Sequence, residues 1–422
     1  MKKTIKVPFQ NMTKSGWTNL SVVALFSLYA FLLLIVWLNS TLCENLAIDY
    51  CAFWSAGRVI NERSIADVYD LSILTEYQSE IYPQSGEATF ETLAIMYPPV
   101  FVVPFQVLSL IQVPYSFWIW TVINIISFAL YLRFFTRDIS GRSLPVGLLM
   151  MLMLSMPLIL NLYFGQVSIL LGIFAGEFIR AIKNHKPIKA GIWLGGVLLK
   201  PQLLILIIPF LIFQRSFKVL KGFALSSMMV FGISFALIGV DGFIRLTNIL
   251  IEASGGGVHS KPEIMMNWRM LGWHVESFTS PTFGWIVILL GSLLTIGIIF
   301  SVFRRRIMCD PDLAVISILG ILAASNVIAW HSHFHLSIIL IPPILFIILK
   351  LQVKKKILLL WVLLPVVIQI IIFLVAPVLT IERQLLQILE GVQGLILNLI
   401  ILSWAINLFS LINNDPSYEA LL

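Results

Sequence analysis

The sequence predicts an all-α, polytopic transmembrane protein, and three observations lead to that prediction. Of its 422 residues, 59% are hydrophobic and only 12% are charged. Apolar runs of about 20 residues recur as far as the C-terminus, and a helix of that length crosses the ~30 Å hydrocarbon core of a bilayer. The basic residues lie mostly in short clusters between these runs. Together these features indicate a chain that crosses the membrane many times.

The basic clusters predict the orientation of the chain. Short loops rich in Lys and Arg stay on the cytoplasmic side of a membrane. Once the basic residues are assigned to such loops, the net charge of +7 no longer suggests nucleic acid as a partner, and membrane lipids are the expected surroundings. The clusters are MKKTIKVPFQNMTK, RFFTRDISGR, RAIKNHKPIK, RSFKVLK, RRR at 304–306 and KLQVKKK.

About twelve membrane helices are predicted between these clusters, with both termini inside. The first apolar run is too long for a signal peptide, and no small-x-small cleavage site follows it. We therefore expect a single membrane domain, residues 17–412, between cytoplasmic tails at 1–16 and 413–422. The helices are predicted at about 17–38, 115–135, 145–162, 166–182, 188–199, 202–214, 218–239, 283–303, 312–328, 334–350, 356–378 and 391–412.

Two segments are predicted to enter the membrane without crossing it. Residues 97–113 are apolar enough to span, but a span there would place the next basic cluster outside, so we expect a re-entrant or outer-leaflet helix. Residues 190–213 lie between two basic clusters and must turn at Lys200 and Pro201, because proline breaks a helix. Each arm has about 12 residues, or ~18 Å, which is too short to cross. Such a turn is tolerated where it lines a cavity.

Two large segments, residues 39–96 and 240–282, are predicted to lie outside. The first carries nine acidic residues and two arginines, and two of its stretches, AFWSAGRVI and VYDLSILTEYQSEIY, show helical patterning. We expect these to form two amphipathic helices on the extracytoplasmic surface. Cys43 and Cys51 can pair if they face an oxidising compartment, but their spacing alone does not decide it.

Asp49 is the candidate catalytic residue. It follows the first apolar run and has aromatic and small neighbours, not the Lys, Ser and Gly of a solvated loop. One interpretation is a helix-capping or solvated acid. The other is a general base above a cavity in the membrane. Its position alone leaves both interpretations open.

Other polar residues converge on the same predicted side. Lys200 stands out, because a charge at membrane depth costs ~2.5–3.5 kcal/mol even on the lenient insertion scale and usually marks a substrate path. The alternative is a lysine that snorkels from the helix break. Glu177, near the cytoplasmic side, is expected to pair with Arg180 at i+3. The outer candidates for substrate binding are Lys200, Gln202, Arg269, Gln166, Asn161, His331 and His335.

The stretch NVIAWHSHFH at an outer helix end suggests a zinc site at first sight. His331 and His335 are four residues apart and are expected to share one helical face, with His333 turned away. No HExxH motif and no additional carboxylate accompany them. We therefore favour a hydrogen-bonding role and expect neither a metal nor another cofactor.

The motifs also follow one another in a recognisable order over about residues 45–345. After Asp49 come YCAFWSAG, DVYD, YPPVFVVPFQVLSL, NLYFGQVSILL, AGIWLGGVLLKPQLLILIIPFL, NWRMLGW and NVIAWHSHFH. This order resembles glycosyltransferase family 87 of the GT-C superfamily. The resemblance implies a polyprenyl-phosphate sugar donor, often mannose, and a glycolipid or glycan acceptor. It also implies a multi-pass protein of the cell membrane with an extracytoplasmic active site.

The resemblance implies a role for each candidate residue. The lipid phosphate leaves as an anion, so one base suffices for a single inverting displacement, and Asp49 is that base. Lys200 and Arg269 would neutralise the departing phosphate. His331 or His335 would orient the sugar, the phosphate or Asp49. Gln202, Gln166 and Asn161 complete the predicted donor site.

Two further functions are compatible with buried polar groups in a helical membrane protein. A secondary transporter also uses broken helices and buried charge, but near the midplane and often in two repeated halves. No paired broken helices are visible here, and the polar residues gather on one side. A lipid-linked glycan polymerase or ligase, or a lipid-binding protein without activity, would share the lipid-facing cavity.

Overall fold

Helices build the described part of the chain. The computed structural model describes residues 14–81, 92–254, 261–304, 308, 310–353, 356–379 and 383–414. Within these ranges no β-strand occurs, in agreement with the predicted all-α class. The α-helices are α1 (Lys14–Leu38), α2 (Ile48–Glu62), α3 (Leu71–Ser79), α4 (Pro99–Val102), α5 (Pro104–Leu108), α6 (Val113–Ser140), α7 (Val146–Met153), α8 (Met156–Phe164), α9 (Ser168–Lys183), α10 (Pro187–Leu194), α11 (Ile207–Phe213), α12 (Phe217–Ser254), α13 (Trp268–Phe278), α14 (Pro281–Val302), α15 (Pro311–Ile328), α16 (Ile341–Lys350), α17 (Lys356–Leu379) and α18 (Arg383–Asn414).

Short 3-10 helices occur where the chain turns between longer elements. Gly195–Leu199 and Pro201–Leu204 meet at Lys200, whose backbone is extended (φ −137°, ψ 77°). The predicted break at Lys200 is thus confirmed, and Pro201 enforces it because its nitrogen cannot donate to the preceding turn. The other 3-10 helices are Ala66–Tyr69, Pro262–Ile264 and Phe334–Leu340.

Seven described helices are long and apolar enough to cross a membrane. An eighth span results if α7 and α8, bent by 52° relative to each other, are counted together. Shorter apolar helical segments accompany them, including both arms of the broken hairpin. The chain is therefore a multi-pass helical membrane protein, while the count of twelve and the extracytoplasmic helices stay predictions. The seven spans are Ser21–Leu38, Val113–Ser140, Phe217–Ala253, Pro281–Val302, Pro311–Ile328, Lys356–Val375 and Leu385–Asn413.

The second predicted outer segment contains more helix than expected. Residues 240–254 continue α12 beyond a kink at Gly239, where φ is 64° and ψ is −167°. Arg245, in this continuation, forms ion pairs with Asp67 at 3.7 Å and Asp70 at 3.1 Å. The two predicted outer segments are therefore tied to each other. Parts of them, at 82–91 and 255–260, and most of the predicted tails lie outside the described residues.

α2 occupies the position of the first predicted amphipathic helix, but it is not a surface helix. Residues 50–57 are all buried, and they cover two full turns. α2 packs against α3, α5, α6 and α8. A helix on the membrane surface needs one polar, solvent-facing stripe, and this part of α2 has none. The amphipathic prediction is wrong for α2 because its small and aromatic residues face other helices instead of lipid.

Candidate active site

A cavity of about 250 Å³ collects polar side chains from distant parts of the chain. Asp49 reaches it from the first turn of α2, Gln166 from the turn between α8 and α9, and Lys200 from the broken hairpin. These three were predicted from the sequence, and the structure brings them together. The remaining polar residues of the lining are Tyr97, Lys261, His331, His333, His335, Gln369, Glu390 and Gln393.

A disulfide holds the segment that carries Asp49. Cys43 and Cys51 are bonded, with their Cα atoms 5.6 Å apart, so the pairing that the sequence left open is present. Inside this loop Ala47 adopts a left-handed conformation (φ 59°), and its N–H donates to the Tyr163 carbonyl at 2.8 Å. Ala47 is the N-cap residue of α2, and no side chain caps the helix. Asp49 is therefore not a capping acid.

The turn between α8 and α9 places Gln166 opposite Asp49. Gly165 has a φ of 72°, and a Cβ there would lie 2.3 Å from the Cβ of Tyr50, so α2 approaches the turn too closely for any side chain. Asn161 is fully buried, and its Oδ1 accepts from the Ser168 N–H at 2.9 Å. The Asn161 carbonyl accepts from the Gln166 N–H at 2.8 Å. Asn161 shapes this turn and does not line the cavity, so its predicted role in donor binding stays a prediction.

A hydrogen-bond chain leads to the Asp49 carboxylate. Tyr97 donates through its hydroxyl to Gln166 Oε1 at 3.1 Å, and the Gln166 amide in turn hydrogen-bonds Asp49. Burial raises the pKa of Asp49, whereas the Gln166 hydrogen bond and the charges of Lys200 and Lys261 lower it. Asp49 is half-buried and borders the cavity. The carboxylate is thus held in place by neutral groups and remains open to a ligand.

Lys200 is buried beside an aromatic ring. Its Nζ lies 4.4 Å from the centroid of the Tyr97 ring, which is cation–π distance. Burial lowers the pKa of Lys200 to about 8, while Asp49 raises it. Among the described residues, neither Lys200 nor Asp49 belongs to an ion pair. Both charges are available to a substrate, and the buried position argues against a snorkelling lysine.

The cavity contains all three histidines of the NVIAWHSHFH stretch. His331 precedes the 3-10 helix Phe334–Leu340 and His335 lies within it, so the expected shared α-helical face does not form. His333 is not turned away: its ring centroid lies 4.7 Å from that of His331 and 5.9 Å from that of His335. Burial, with Lys200 as a further cause, lowers the pKa of all three, that of His333 to about 4. They are neutral hydrogen-bonding groups at physiological pH.

Within the described ranges no group of three or more His, Cys, Asp or Glu side chains is arranged to hold a metal ion. The expectation that the enzyme uses no metal stays a prediction.

Gln202 and Arg269 support the histidine segment from outside the cavity. Gln202 donates to the His331 carbonyl at 3.2 Å. Arg269 donates to the Trp330 carbonyl at 3.2 Å, and its guanidinium lies 4.3 Å from the centroid of the Trp330 ring. Neither side chain lines the cavity. Both hold the backbone of the histidine segment through these carbonyl groups. Lys261 occupies the cavity in the place that the sequence analysis gave to Arg269 as a second cation.

Six polar residues of the lining were missed by the sequence analysis. Gln369 interrupts a predicted span, which is the same signal that singled out Lys200, and Glu390 directly precedes the predicted start of another. Tyr97 is the first residue of the predicted apolar segment 97–113, where a tyrosine does not stand out, and Lys261 lies in a segment without a clear pattern. The six are Tyr97, Lys261, His333, Gln369, Glu390 and Gln393.

A second charged cluster lies at the opposite end of α9. Arg180 binds both oxygens of Glu177, at 2.7 and 2.8 Å, and pairs with Asp138 at 3.0 Å. Lys183 donates to the Asp138 carbonyl at 2.6 Å, and Tyr131 donates to Glu177 at 3.2 Å. The predicted pair of Glu177 and Arg180 is confirmed. Each charge in this cluster is satisfied by another part of the protein.

The fold and the cavity define a multi-pass, all-helical membrane protein whose polar site carries both signs of charge. A family model described as Glycosyltransferase family 87 matches residues 95–329, which is more than half of the chain. The chain therefore belongs to glycosyltransferase family 87 and is a membrane glycosyltransferase. No curated protein and no solved structure matches it. The matched segment contains Gln166 and Lys200, whereas Asp49 and the histidines lie outside it.

Proposed function

We propose that this enzyme transfers a sugar, with mannose as the first choice, from a polyprenyl-phosphate carrier to a hydroxyl group of a glycolipid or glycan. The reaction takes place on the extracytoplasmic face of the cell membrane. The observation that carries the proposal is the presence of Asp49 and Lys200 in one cavity without an ion pair between them. A base and an anion-binding cation are the two groups that this transfer needs.

The proposed step is a single displacement. The acceptor hydroxyl oxygen attacks the anomeric carbon, and its proton passes to the Asp49 carboxylate. The bond between the anomeric carbon and the phosphate oxygen breaks, and the polyprenyl phosphate leaves with the electron pair. One displacement inverts the anomeric configuration. The raised pKa of Asp49 makes its carboxylate a better proton acceptor than an exposed aspartate.

The donor phosphate is proposed to bind between Lys200 and Lys261. Both line the cavity, and both act on Asp49 through their charge. A positive charge fixed near the departing phosphate stabilises the charge that develops there in the transition state. Because the three histidines are neutral, they add hydrogen bonds without competing with the lysines for the anion.

The apolar part of the lining suits an isoprenoid chain. Met156, Leu160 and Phe164 succeed one another at intervals of four residues along α8 and all face the cavity. Residues at i and i+4 lie on the same face of a helix, so these side chains form a continuous apolar wall. α8 belongs to the bent helix pair that is apolar enough to count as one span, which supports lipid entry along this wall.

Two observations support an extracytoplasmic active site. The Cys43–Cys51 disulfide borders Asp49, and disulfides persist in oxidising compartments outside the cytosol. The basic clusters that mark the cytoplasmic side surround the opposite end of α9. Family membership favours an enzyme over the transporter and over a lipid-binding protein without activity.

The test is transfer of radiolabelled mannose from polyprenyl phosphate by the purified protein in liposomes. Membrane glycolipids serve as acceptors, and Asp49→Asn protein is the matched control. We expect labelled glycolipid with inverted configuration from the unmodified protein alone. If no polyprenyl-phosphate sugar of a panel is used, or if the vesicles show counterflow of the sugar instead, the proposal is wrong.

A further inference from the structure

A second group of polar side chains enters the cavity from the C-terminal helices. Gln369 lies on α17, and Glu390 and Gln393 lie on α18; all three line the cavity that Asp49 borders. The Gln369 amide donates to Glu390 Oε1 at 3.4 Å. Glu390 and Gln393 are three residues apart and share one face of α18. The proposed displacement uses none of them.

Two of these side chains are buried in an apolar setting. Gln369 is the only hydrophilic side chain between Ile357 and Leu379, apart from the indole of Trp361. Gln369 and Gln393 are buried, whereas Glu390 is exposed where it borders the cavity. Within the described part of the chain, Glu390 has no cation within ion-pair distance. Buried polar groups such as the two glutamines destabilise a membrane helix unless a ligand or partner satisfies them, and they usually mark a substrate path.

The helix that carries Glu390 is packed firmly against the cavity wall. A Cβ at Gly394 would lie 2.6 Å from the Cβ of Met266 and 2.9 Å from the Phe334 ring. Met266 and Phe334 both line the cavity. α18 is therefore a fixed part of the site, and Glu390 and Gln393 are held in position relative to the rest of the lining.

The charges divide the cavity between two kinds of ligand. Lys200 and Lys261 attract a phosphate, whereas the carboxylate of Glu390 repels one. The second oxygen of Glu390 and the Oε1 atom of Gln369 accept hydrogen bonds, and the Gln393 amide both donates and accepts. This set matches a neutral group with two neighbouring hydroxyls and does not match a phosphate.

We propose that Gln369, Glu390 and Gln393 form the acceptor subsite, and that the acceptor presents a neutral glycan or polyol with neighbouring hydroxyl groups. The inference rests on the proposed glycosyl transfer and names the chemical class of its second substrate. One acceptor hydroxyl reaches Asp49 while its neighbours bind the three side chains. Glu390 is thus a positioning residue for the acceptor.

The test measures Michaelis constants for both substrates. Polyprenyl-phosphate mannose is the donor, and octyl glycosides and octyl glycerol are the acceptor probes. Glu390→Gln and Gln369→Leu are expected to raise the acceptor KM at least ~tenfold, as the loss of a hydrogen bond to a charged group would. The donor KM and kcat should change by less than about twofold, because these side chains do not contact the reacting phosphate.

Gln387→Leu is the matched control, because Gln387 lies one turn before Glu390 on α18 but does not line the cavity. It should leave both Michaelis constants unchanged. For the unmodified enzyme, a probe that lacks one of the neighbouring hydroxyls should have a higher KM than the complete probe. For Glu390→Gln the two probes should have the same KM, because the hydroxyl and Glu390 are the two partners of one hydrogen bond.

The subsite proposal is overturned if Glu390→Gln lowers kcat or raises the donor KM while the acceptor KM is unchanged. It is also overturned if only anionic or aminated acceptors are glycosylated. These outcomes differ from a failure of the proposed function, in which the unmodified enzyme transfers no sugar from any polyprenyl-phosphate donor.

Discussion

The two ends of α9 lie at two charged regions: in one the charges pair with each other, and in the other they do not. At its C-terminal end, Arg180 binds the carboxylates of Glu177 and Asp138 directly. At its N-terminal end, about 24 Å away by the rise of a 16-residue helix, Asp49 and Lys200 border one cavity and are held by neutral neighbours. A region whose charges satisfy one another stabilises the fold. A region whose charges are fixed apart is prepared for a ligand that brings the missing partner.

The largest effect is expected at the acid of the cavity. Asp49→Asn keeps the size of the side chain but removes the base, so turnover should fall at least ~10²-fold. Donor binding should be retained, because the lysines remain. Initial rates of labelled sugar transfer and equilibrium binding of the donor measure the two effects.

Glu44→Gln and Asp67→Asn are the controls for this variant, since both acids lie in the same predicted outer segment and neither lines the cavity. Both should stay active. If Asp49→Asn retains more than about a tenth of the normal turnover, Asp49 is not the base and the cavity loses its proposed role.

The next effect is expected at the buried cation. Lys200→Met fills a similar volume without the charge and should weaken donor binding at least ~tenfold, or by ~1.4 kcal/mol. Titration of a fluorescent polyprenyl phosphate into the detergent-solubilised protein measures it. Lys200→Arg should recover part of the affinity. An unchanged dissociation constant in a folded Lys200→Met protein would show that the phosphate binds elsewhere.

A smaller effect is expected from pH. Because burial raises the pKa of Asp49, kcat/KM should fall on the acid side at a pH above the ordinary aspartate value of about 4. Lys200, with a pKa of about 8, loses its proton as the pH rises through that value, so donor affinity should fall between about pH 7 and 9. The profile should be bell-shaped. If kcat/KM of the unmodified enzyme does not change between pH 7 and 9, the pKa of about 8 for Lys200, or its role in donor binding, is wrong.

The smallest effect on activity is expected in the paired cluster. Arg180→Met leaves Glu177 and Asp138 without their main partner and should destabilise the protein by about 1–3 kcal/mol. The rate per folded molecule should stay within about twofold, since the cluster does not touch the cavity. Thermal unfolding in detergent and transfer assays on the folded fraction separate the two. If a folded Arg180→Met protein loses more than tenfold in rate, the cluster at the C-terminal end of α9 affects catalysis and is not only a stabilising one.

Sequence patterns predicted the helices and part of the site. Every predicted membrane segment contains helix, because a long apolar run or a proline break is a local signal. Lys200 and Gln166 were found because a polar residue at a helix break or tight turn is conspicuous in an apolar chain. Asp49 was found because its neighbours are aromatic.

The errors arose where distant segments decide the structure. The burial of α2 depends on α5, α6 and α8, which no periodicity within α2 reveals. His333 enters the cavity because the chain there is not α-helical. Arg269 was predicted to bind the donor because of its charge; its guanidinium lies against the Trp330 ring and outside the cavity lining, and the donor role stays a prediction. Glu390 was overlooked because it precedes an apolar run instead of interrupting one.

The ring closed by Cys43 and Cys51 contains Asp49 itself. A reducing cytosol keeps such thiols apart while a chain is being made. On the proposed extracytoplasmic side, the bond closes after the loop has crossed the bilayer, and it then joins the two ends of the segment that carries Asp49. In the proposed enzyme, the ring that holds Asp49 is therefore completed only on the side of the membrane where the lipid-linked sugar is used.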